Sequence, residues 1–277
     1  MLINTLHILK EAQKGKYAVA AFNVFNLETA QAAIRVAERE KKPVILALGE
    51  RYFPSVDVEG FAAMVHALAA KSTIPVALHL DHAYEKASII RAIRAGFTSV
   101  MFDGSKFELV ENMKHTREIV EIAHMAGVSV EAEIGSLSKG EFSDEEEGTG
   151  TLTDPASAKL FVEETGINFL AAAIGTVHGM YKGEPNINLD LLKSIQEVVE
   201  VPLVLHGGSG TPEEIIRKSI ELGICKINVN TEISMAAVNF LKKSMTNNDT
   251  PHLSTIMEET QIVMEDAMTK SVRLFSS

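Results

Sequence analysis

The stretch PVALHLDH, from Pro75 to His82, joins an apolar run to polar side chains, and this combination decides the predicted fold. Proline suits the first residue of a strand. The nearly continuous apolar run from Pro75 to Leu80 is typical of a parallel strand that is buried on both faces. It therefore predicts an inner strand of a parallel sheet, with polar groups at the carboxyl end of the strand.

Working outward, seven further runs of this kind occur, each rich in β-branched residues and followed by a polar loop and a helical pattern. The starts of the eight runs are about 22 to 40 residues apart, which leaves room for a helix and two loops between neighbouring strands. The other predicted strands are Tyr17–Phe22, Pro43–Leu48, Ser99–Phe102, Ser129–Ile134, Phe169–Ile174, Pro202–His206 and Ile224–Val229.

Eight helices are predicted after these strands, and the alternation indicates an α/β protein with a single (β/α)₈ barrel over residues 1–277. Asp154-Pro155 and Thr211-Pro212 each predict a helix start. Two extra helices are expected, Thr5–Gln13 before the barrel and Leu253–Arg273 after it; the latter caps the core or packs on a partner subunit. The barrel helices are Glu28–Lys41, Glu59–Lys71, Tyr84–Ala95, Phe107–Ala126, Asp154–Glu164, Leu189–Val199, Pro212–Leu222 and Glu232–Lys243.

The composition fits a globular protein and excludes several classes of partner. The net charge is −11 and no run of lysine and arginine occurs, so nucleic acid and anionic membranes are not expected partners. An anionic metabolite is still compatible with this net charge, because backbone N–H groups and a metal can make its binding site locally positive. The single Cys225, the absence of a signal-peptide pattern and the absence of a long apolar run predict a cytoplasmic protein.

The longest irregular stretch runs from Gly135 to Thr153 and contains four glycines and an acidic run at Asp144–Glu147. Loops of this length in a compact domain are usually functional or disordered. We expect a mobile lid with little buried surface; the alternative is an inert surface insertion.

Three of the nine histidines, His82, His178 and His206, follow predicted strands and should meet at one rim of the barrel. Neutral imidazoles that leave a fourth position open are typical of a catalytic Zn²⁺ site, where the metal acts as a Lewis acid. His79 alternates with His82 along the strand and groups with Asp81, so it could be a buried group behind the ligands; the alternative is that it is a ligand itself.

Two carboxylates lie at the same predicted rim. Asp81 could exchange protons with a developing alkoxide, or it could cap the helix that begins near Tyr84. Glu133 could bind a metal at a possible second site or orient a ligand, or it could be a buried charge that pairs with a neighbour.

Gly207-Gly208-Ser209-Gly210 forms a glycine-rich turn that enters a helix after the seventh predicted strand. Backbone N–H groups at such a turn can approach a phosphate closely, and barrel phosphate sites recur at this position. Polar residues at or after other strand ends would complete a substrate site; they are Asn23, Lys182, Asn228, Asn230 and Thr231.

With these residues the sequence resembles the class II, zinc-dependent ketose-bisphosphate aldolases, a family that includes fructose- and tagatose-bisphosphate aldolases. The resemblance covers nearly the whole chain, and the motifs in this order are highly specific. They are AFNV (21–24), HLDH (79–82), EAEIG (131–135), GTVHGMYK (175–182), LHGGSG (205–210) and KINVNT (226–231).

The resemblance implies an enzyme that cleaves a phosphorylated ketose to dihydroxyacetone phosphate and an aldehyde such as glyceraldehyde 3-phosphate. Such an enzyme would serve in carbohydrate metabolism, such as glycolysis, and would act as a homodimer or homotetramer. Zn²⁺ would bind to the three histidines, with a monovalent cation (Na⁺ or K⁺) nearby. Asp81 would exchange a proton with the C4 hydroxyl, Asn228 would help to hold the enediolate, and Glu141 on the mobile loop would move the carbon-bound proton. The phosphate would lie on Gly179, Lys182, Gly207–Ser209 and Asn230–Thr231.

Two segments depart from the family pattern. Leu48–Arg51 replaces a serine that is followed by glycine, and Asp249–His252 stands where the family has an Asp-Pro-Arg segment whose arginine resembles a receptor for the distal phosphate. Arg51 could supply the missing cation or form a surface salt bridge. The aldehyde half of the substrate, the need for a second phosphate and the fructose or tagatose stereochemistry stay open.

Two other functions are compatible with these residues. A non-catalytic sugar-phosphate sensor would keep the phosphate site and lack turnover. A metal-dependent sugar-phosphate isomerase or epimerase would use similar enediolate stabilisation without carbon–carbon cleavage.

Overall fold

The predicted strands close into a parallel barrel in a computed structural model that describes residues 2–145, 148–247 and 252–276. The strands are β1 (Val19–Asn23), β2 (Val44–Gly49), β3 (Val76–Ala83), β4 (Ser99–Phe102), β5 (Ser129–Ile134), β6 (Ser138–Lys139), β7 (Phe169–Ala172), β8 (Val177–His178), β9 (Leu203–Leu205) and β10 (Ile224–Val229). The barrel order is β1-β10-β9-β7-β5-β4-β3-β2, and this closure confirms the predicted (β/α)₈ architecture. Strands β6 and β8 pair with each other outside the barrel.

The barrel strands are buried along their whole length, as their continuous apolar sequences predict. Their bounds differ from the predicted ones by at most three residues, and β4, β5 and β10 have the predicted bounds. The largest difference is at β3, which continues to Ala83 instead of ending at Leu80. Asp81 and His82 therefore belong to the strand itself, so the scaffold and not a loop positions them.

Ten helices surround or close the barrel within the described chain, and they include both predicted terminal helices. The last helix, Leu253–Phe275, begins at the predicted residue and ends two residues after the predicted Arg273. The helices are α1 (Thr5–Gly15), α2 (Leu27–Glu40), α3 (Val58–Lys71), α4 (Lys86–Ala95), α5 (Leu109–Met125), α6 (Pro155–Thr165), α7 (Leu189–Gln196), α8 (Glu213–Glu221), α9 (Thr231–Asn247) and α10 (Leu253–Phe275).

Helix α1 closes the amino-terminal end of the barrel. Its buried face, which includes Ile8, Leu9 and Ala12, packs against apolar side chains that point into the barrel, such as Val19 and Ile45. This apolar plug fills the lower part of the interior, so the open end of the barrel is the carboxyl end of its strands.

Helix α10 packs against α2 and α9 and buries Met264, Met268, Val272 and Phe275 in the main core. The expectation that the terminal helix caps the core is therefore confirmed. No helix in residues 2–145, 148–247 and 252–276 has the length and apolar content that a membrane span requires.

The predicted irregular stretch contains a short strand and is attached to the segment after β7. Strand β6 pairs in parallel with β8, and Glu141 and Met180 exchange two backbone hydrogen bonds of 2.8 Å. Leu137 is buried, so the expectation that this stretch has little buried surface is wrong there. These backbone hydrogen bonds hold residues 138–141 beside the carboxyl end of the barrel. The acidic run continues to Glu147, and its last two residues lie outside the described chain.

One of the two predicted helix starts is correct. The Asp154 carboxylate accepts a hydrogen bond from the Ser157 backbone at 2.8 Å, and Pro155 lies in the first turn. At the other start the prediction for Thr211 is wrong, because Pro212 occupies the N-cap position of α8. The Thr211 hydroxyl instead donates to the Gly207 carbonyl at 3.0 Å, which keeps it inside the glycine-rich turn.

Candidate active site

A cavity at the carboxyl end of the barrel brings together most of the predicted site residues, although they come from five different segments of the chain. It lies where the parallel strands end, the position at which barrel enzymes carry their chemistry. The predicted residues that line it are Asn23, Asp81, His82, His178, Gly179, His206, Gly207, Gly208, Ser209, Asn228, Asn230 and Thr231.

Three imidazoles converge in this cavity. One ring nitrogen from each of His82, His178 and His206 lies within 4.8 Å of the others. His82 Nε2 and His206 Nδ1 are 2.9 Å apart, and His178 Nε2 is buried with no hydrogen-bond partner among the described residues. Buried imidazole nitrogens that face one another and lack other partners are the donor set that a Zn²⁺ ion prefers, so the residues fit a metal.

Carboxylates behind the imidazoles determine which ring nitrogens face the cavity. His82 Nδ1 lies 2.7 Å from Asp103 Oδ2, and His206 Nε2 lies 2.7 Å from Glu131 Oε1. Each contact occupies one ring nitrogen and leaves the other directed at the shared centre. A carboxylate in this position orients a metal-binding histidine and raises its basicity.

Burial and neighbouring charges shift the imidazole pKa values in different directions. Burial lowers the pKa of His206, and burial together with the charge on His82 lowers the pKa of His178 well below its ordinary value. Burial also opposes the charged form of His82, but the carboxylates of Glu145, Asp103 and Asp81 raise its pKa well above 6.5.

A β-bulge aims His82 at the cavity. The pairing of β3 with β4 changes register between Leu80 and Ala83, and His82 has φ 42°, in the left-handed region. Side chains in a regular strand alternate between faces, so Asp81 and His82 would otherwise point apart. The bulge places both in one cavity at the cost of backbone strain, which is common at functional sites.

Asp81 is held by two amide side chains. Its Oδ2 accepts a hydrogen bond from Asn23 Nδ2 at 2.8 Å, and its Oδ1 accepts one from Asn228 Nδ2 at 3.0 Å. Burial would raise the pKa of Asp81, but positive charge on His82 and Lys226 holds it well below the ordinary value. Glu85 occupies the N-cap position of α4, so the alternative of Asp81 as a helix cap is wrong.

A buried polar network lies directly beneath the cavity. Lys226 Nζ donates to Glu131 Oε2 at 2.6 Å, and both side chains are completely buried. His79 joins the network at 3.5 Å from Lys226 Nζ and also lies 3.8 Å from Asp81 Oδ1. Strand alternation correctly predicted this grouping, and His79 is not in the cluster of three imidazoles.

Glu133 is buried and lies beside His82 and Asp103, with which it forms another group of possible metal ligands. Its Oε2 has no hydrogen-bond partner in the described part of the chain. Burial and the negative charge of Asp103 raise its pKa well above 4.5, whereas the charge of His82 lowers it. The roles considered for Glu133, as a metal ligand, as a group that orients a ligand or as a buried charge with a neighbouring partner, stay predictions.

Two glycines allow the loops around the cavity to approach one another closely. Gly179 has φ 106° and Gly207 has φ 73°, in the left-handed region. A Cβ atom at Gly207 would collide with the Val177 carbonyl, and one at Gly179 would collide with the Glu141 carbonyl. Both positions require glycine, because the loops around the cavity touch there through their backbones.

Lys182 and Glu141 are both exposed, and neither lines the cavity. The predicted phosphate contact of Lys182 is therefore absent from this conformation. Glu141 lies on the attached loop next to the wall, and its side chain would have to move to reach the cavity.

Four residues of the site were not predicted individually from the sequence: Asp103, Glu131, Lys226 and Glu145. Asp103 immediately follows β4, so the rule that identified the histidines could have found it. Glu131 and Lys226 lie inside apolar strands, where the charge itself is the signal. Glu145 gave no signal within its acidic run, yet its carboxylate lies within 4.8 Å of ligand atoms of Asp81 and His82.

Comparisons with known proteins agree with this geometry. Residues 3–277 match the family described as fructose-bisphosphate aldolase class-II. The YdjI aldolase from Escherichia coli K12 is similar to this chain at 36% identity and a TM-score of 0.90, covering 100% of this chain and 98% of that one. A protein from Coccidioides immitis, named as a candidate fructose-1,6-bisphosphate aldolase, gives 33% identity, a TM-score of 0.89 and coverage of 98% and 96%.

A third structure, the fructose-bisphosphate aldolase from Campylobacter jejuni, has 21% identity and a TM-score of 0.82, with coverage of 99% of this chain and 95% of that one. At this identity the likeness supports the fold alone. The family match covers nearly the whole chain, and the more similar structures cover it from end to end. The chain is therefore an aldolase, a carbon–carbon lyase, and belongs to the class-II fructose-bisphosphate aldolase family.

Proposed function

We propose that this chain is a zinc-dependent aldolase that reversibly cleaves a phosphorylated ketose to dihydroxyacetone phosphate and an aldehyde such as glyceraldehyde 3-phosphate. One observation carries the proposal: three buried imidazoles converge beside a carboxylate whose two oxygens are both held by amides. Such a cluster supports a Lewis acid and a proton acceptor at one carbon–carbon bond.

His82, His178 and His206 would hold the Zn²⁺, which would act as a Lewis acid on the carbonyl of the substrate. Asp103 and Glu131 would orient two of these ligands through the ring nitrogens that face away from the cavity. Their role is to keep the imidazoles in place before the substrate binds.

Asp81 would accept the proton of the C4 hydroxyl during cleavage and return it during condensation. Its low pKa keeps it ionised, and the amides of Asn23 and Asn228 fix the direction of its oxygens. Asn228 Oδ1 is buried and has no hydrogen-bond partner in the described ranges, so it can still accept a hydrogen bond from the substrate. Glu141 would move the carbon-bound proton after the loop brings it to the cavity.

The phosphate of dihydroxyacetone phosphate would bind to the glycine-rich turn, with contacts from Gly179, Gly207–Ser209, Asn230 and Thr231. These residues line the same cavity as the imidazoles, and the Asn230–Thr231 pair lies at the start of α9. A helix N-terminus favours an anion. A Na⁺ or K⁺ ion would assist at this end of the site, whereas Lys182 would contribute only from another loop conformation.

A coupled assay for release of dihydroxyacetone phosphate tests the proposal. Fructose 1,6-bisphosphate, tagatose 1,6-bisphosphate and the two ketose 1-phosphates should be compared, each with and without a chelator. We expect release from at least one ketose, loss of that activity with the chelator and recovery with Zn²⁺. Binding without release from any ketose would favour the sensor, and isomerised ketose without cleavage would favour the isomerase.

Three other expectations stay predictions. The protein would act as a homodimer or homotetramer, it would serve in glycolysis or a related pathway, and it would lie in the cytoplasm. The free, buried thiol of Cys225 is compatible with a reducing compartment.

A further inference from the structure

Arg51 lies beside the reacting centre. It follows β2 in the turn Glu50–Tyr52, two residues after Gly49, which pairs with Asp81 in the barrel. Its side chain is only 22% exposed, and the charge of Asp81 is among those that raise its pKa. The alternative of a salt bridge is therefore correct in part, because Arg51 pairs with carboxylates but lies mostly below the surface.

The partners of Arg51 are two carboxylates from the attached loop. Arg51 forms an ion pair with Glu145, and its Nε lies 3.3 Å from Asp144 Oδ2. Asp144 also accepts hydrogen bonds from Tyr52 at 2.6 Å and from Asn230 at 3.2 Å. Arg51 Nε is buried and makes no hydrogen bond within the described chain, so the guanidinium is only partly satisfied by these partners.

The same carboxylates occupy the space that a substrate needs. Ser143, Asp144 and Glu145 line the cavity above the imidazoles, whose free volume is about 30 Å³. That volume holds one or two water molecules and is too small for a sugar phosphate. A neighbouring cavity of about 220 Å³ is also lined by Asp144, together with Tyr52 and Asn230. Asp144 therefore contacts both spaces, and its withdrawal would enlarge each of them.

The charge of the cavity explains why this arginine matters. Its lining includes Asp81, Asp144 and Glu145 and contains no lysine or arginine among the described residues. Lys226 is completely buried below the cavity and is paired with Glu131. An anionic group on the aldehyde half of a substrate would therefore meet repulsion unless Arg51 received it.

We propose that Arg51 binds an anionic oxygen group, a phosphate or a carboxylate, on the aldehyde half of the substrate, and that Glu145 and Asp144 hold it only until the substrate replaces them. Glu145 reaches from Arg51 to within 4.8 Å of Asp81 and His82. An acidic group on a short aldehyde bound at Asp81 can span the same distance. Planar guanidinium groups bind carboxylate and phosphate with two parallel hydrogen bonds, which makes arginine the suited cation.

The inference rests on the proposed aldolase function, and the condensation direction tests it. Dihydroxyacetone phosphate is offered with two matched pairs of acceptors: glyceraldehyde 3-phosphate with glyceraldehyde, and succinic semialdehyde with butanal. The first pair tests a phosphate and the second a carboxylate. The enzymes are wild type, Arg51→Gln and Arg51→Lys, and kcat and KM are measured separately for each acceptor.

We expect Arg51→Gln to lower kcat/KM for at least one anionic acceptor by about 10- to 100-fold, mainly through KM, because a charge-assisted contact is lost. The matched neutral acceptor should change by less than about 3-fold, and Arg51→Lys should recover part of the loss. Glu145→Gln should lower KM for the anionic acceptor, since a competing carboxylate is removed.

Equal losses for anionic and neutral acceptors would overturn the inference and make Arg51 a loop contact. An unchanged kcat/KM for both anionic acceptors would overturn it as well. These results leave the proposed function intact, because wild type still condenses its acceptors. A wild type that condenses no acceptor and cleaves no ketose would instead remove the proposed function, and this inference with it.

Discussion

The ion pair between Lys226 and Glu131 gives the sharpest prediction about stability, because both side chains are completely buried and 2.6 Å apart. Replacing Lys226 by methionine keeps most of the length of the side chain and removes its charge. Burial would raise the pKa of Glu131, but the Lys226 ammonium and the hydrogen bond from His206 lower it to about 2. The methionine variant thus leaves a buried carboxylate without its counter-charge.

The size of the effect follows from that pKa. The distance from the ordinary value of 4.5 to about 2 corresponds to about 3 kcal/mol, at about 1.36 kcal/mol per pH unit. Because the folded pKa is lowered, this contribution is present above pH 4.5 and is lost as the pH falls toward 2. At pH 7 we therefore expect Lys226→Met to lose about 3 to 5 kcal/mol of unfolding free energy, the usual result of breaking a buried pair.

Urea denaturation at pH 7, followed by far-UV circular dichroism and tyrosine fluorescence, measures this difference. The matched control is Lys218→Met, which removes the exposed partner of Glu214 and should leave the urea midpoint unchanged. The double variant Glu131→Gln/Lys226→Met should be more stable than Lys226→Met alone, because no charge is left unpaired. A loss of less than about 1 kcal/mol in Lys226→Met would show that the pair is not the main electrostatic contact of Glu131.

Three further predictions concern the cavity and its surroundings. Asp81→Ala should reduce kcat by about 10²- to 10⁴-fold, since the proton acceptor is lost, while the zinc content measured by atomic absorption stays unchanged; normal turnover would refute the role. Glu141→Ala should slow exchange of the C3 proton of dihydroxyacetone phosphate with solvent, measured by NMR, more than it slows cleavage; unaltered exchange would remove Glu141 from the mechanism. Burial and the charge of Lys226 lower the pKa of His79 from 6.5 to about 3, so the stability it provides is complete above pH 6.5 and is lost as the pH falls toward 3. Urea midpoints should therefore fall more steeply between pH 6.5 and 4.5 for wild type than for His79→Gln, and parallel curves would contradict the pKa.

The sequence predicted the barrel because its signals are local and repeated. Each inner strand is a short apolar run, and a buried parallel strand needs little more than that. The placement of His82, His178 and His206 at one rim followed from the same rule, since the carboxyl ends of parallel strands meet at one end of a barrel. Strand alternation also separated His79 from this group correctly.

Features that depend on contacts between distant segments were not predicted. The bulge that turns His82 toward Asp81 arises from the pairing of β3 with β4, and nothing in the stretch Pro75–His82 indicates it. The contact of Glu145 with Arg51 joins two loops that are far apart in the chain. Thr211 was wrongly assigned as a helix cap because its hydroxyl has a competing acceptor in the Gly207 carbonyl, which only the folded turn supplies.

The network beneath the cavity continues to the opposite end of the barrel. His79 Nδ1 lies 2.7 Å from the Ser99 hydroxyl, and that hydroxyl lies 2.6 Å from the hydroxyl of Thr5 at the start of α1. In barrel enzymes the amino-terminal face is usually associated with stability and the carboxyl-terminal face with catalysis. In this chain a line of polar contacts connects the two. Thr5→Val, a change at the face that is usually associated with stability, would thus remove the last hydroxyl of a polar line that ends at Asp81 in the cavity.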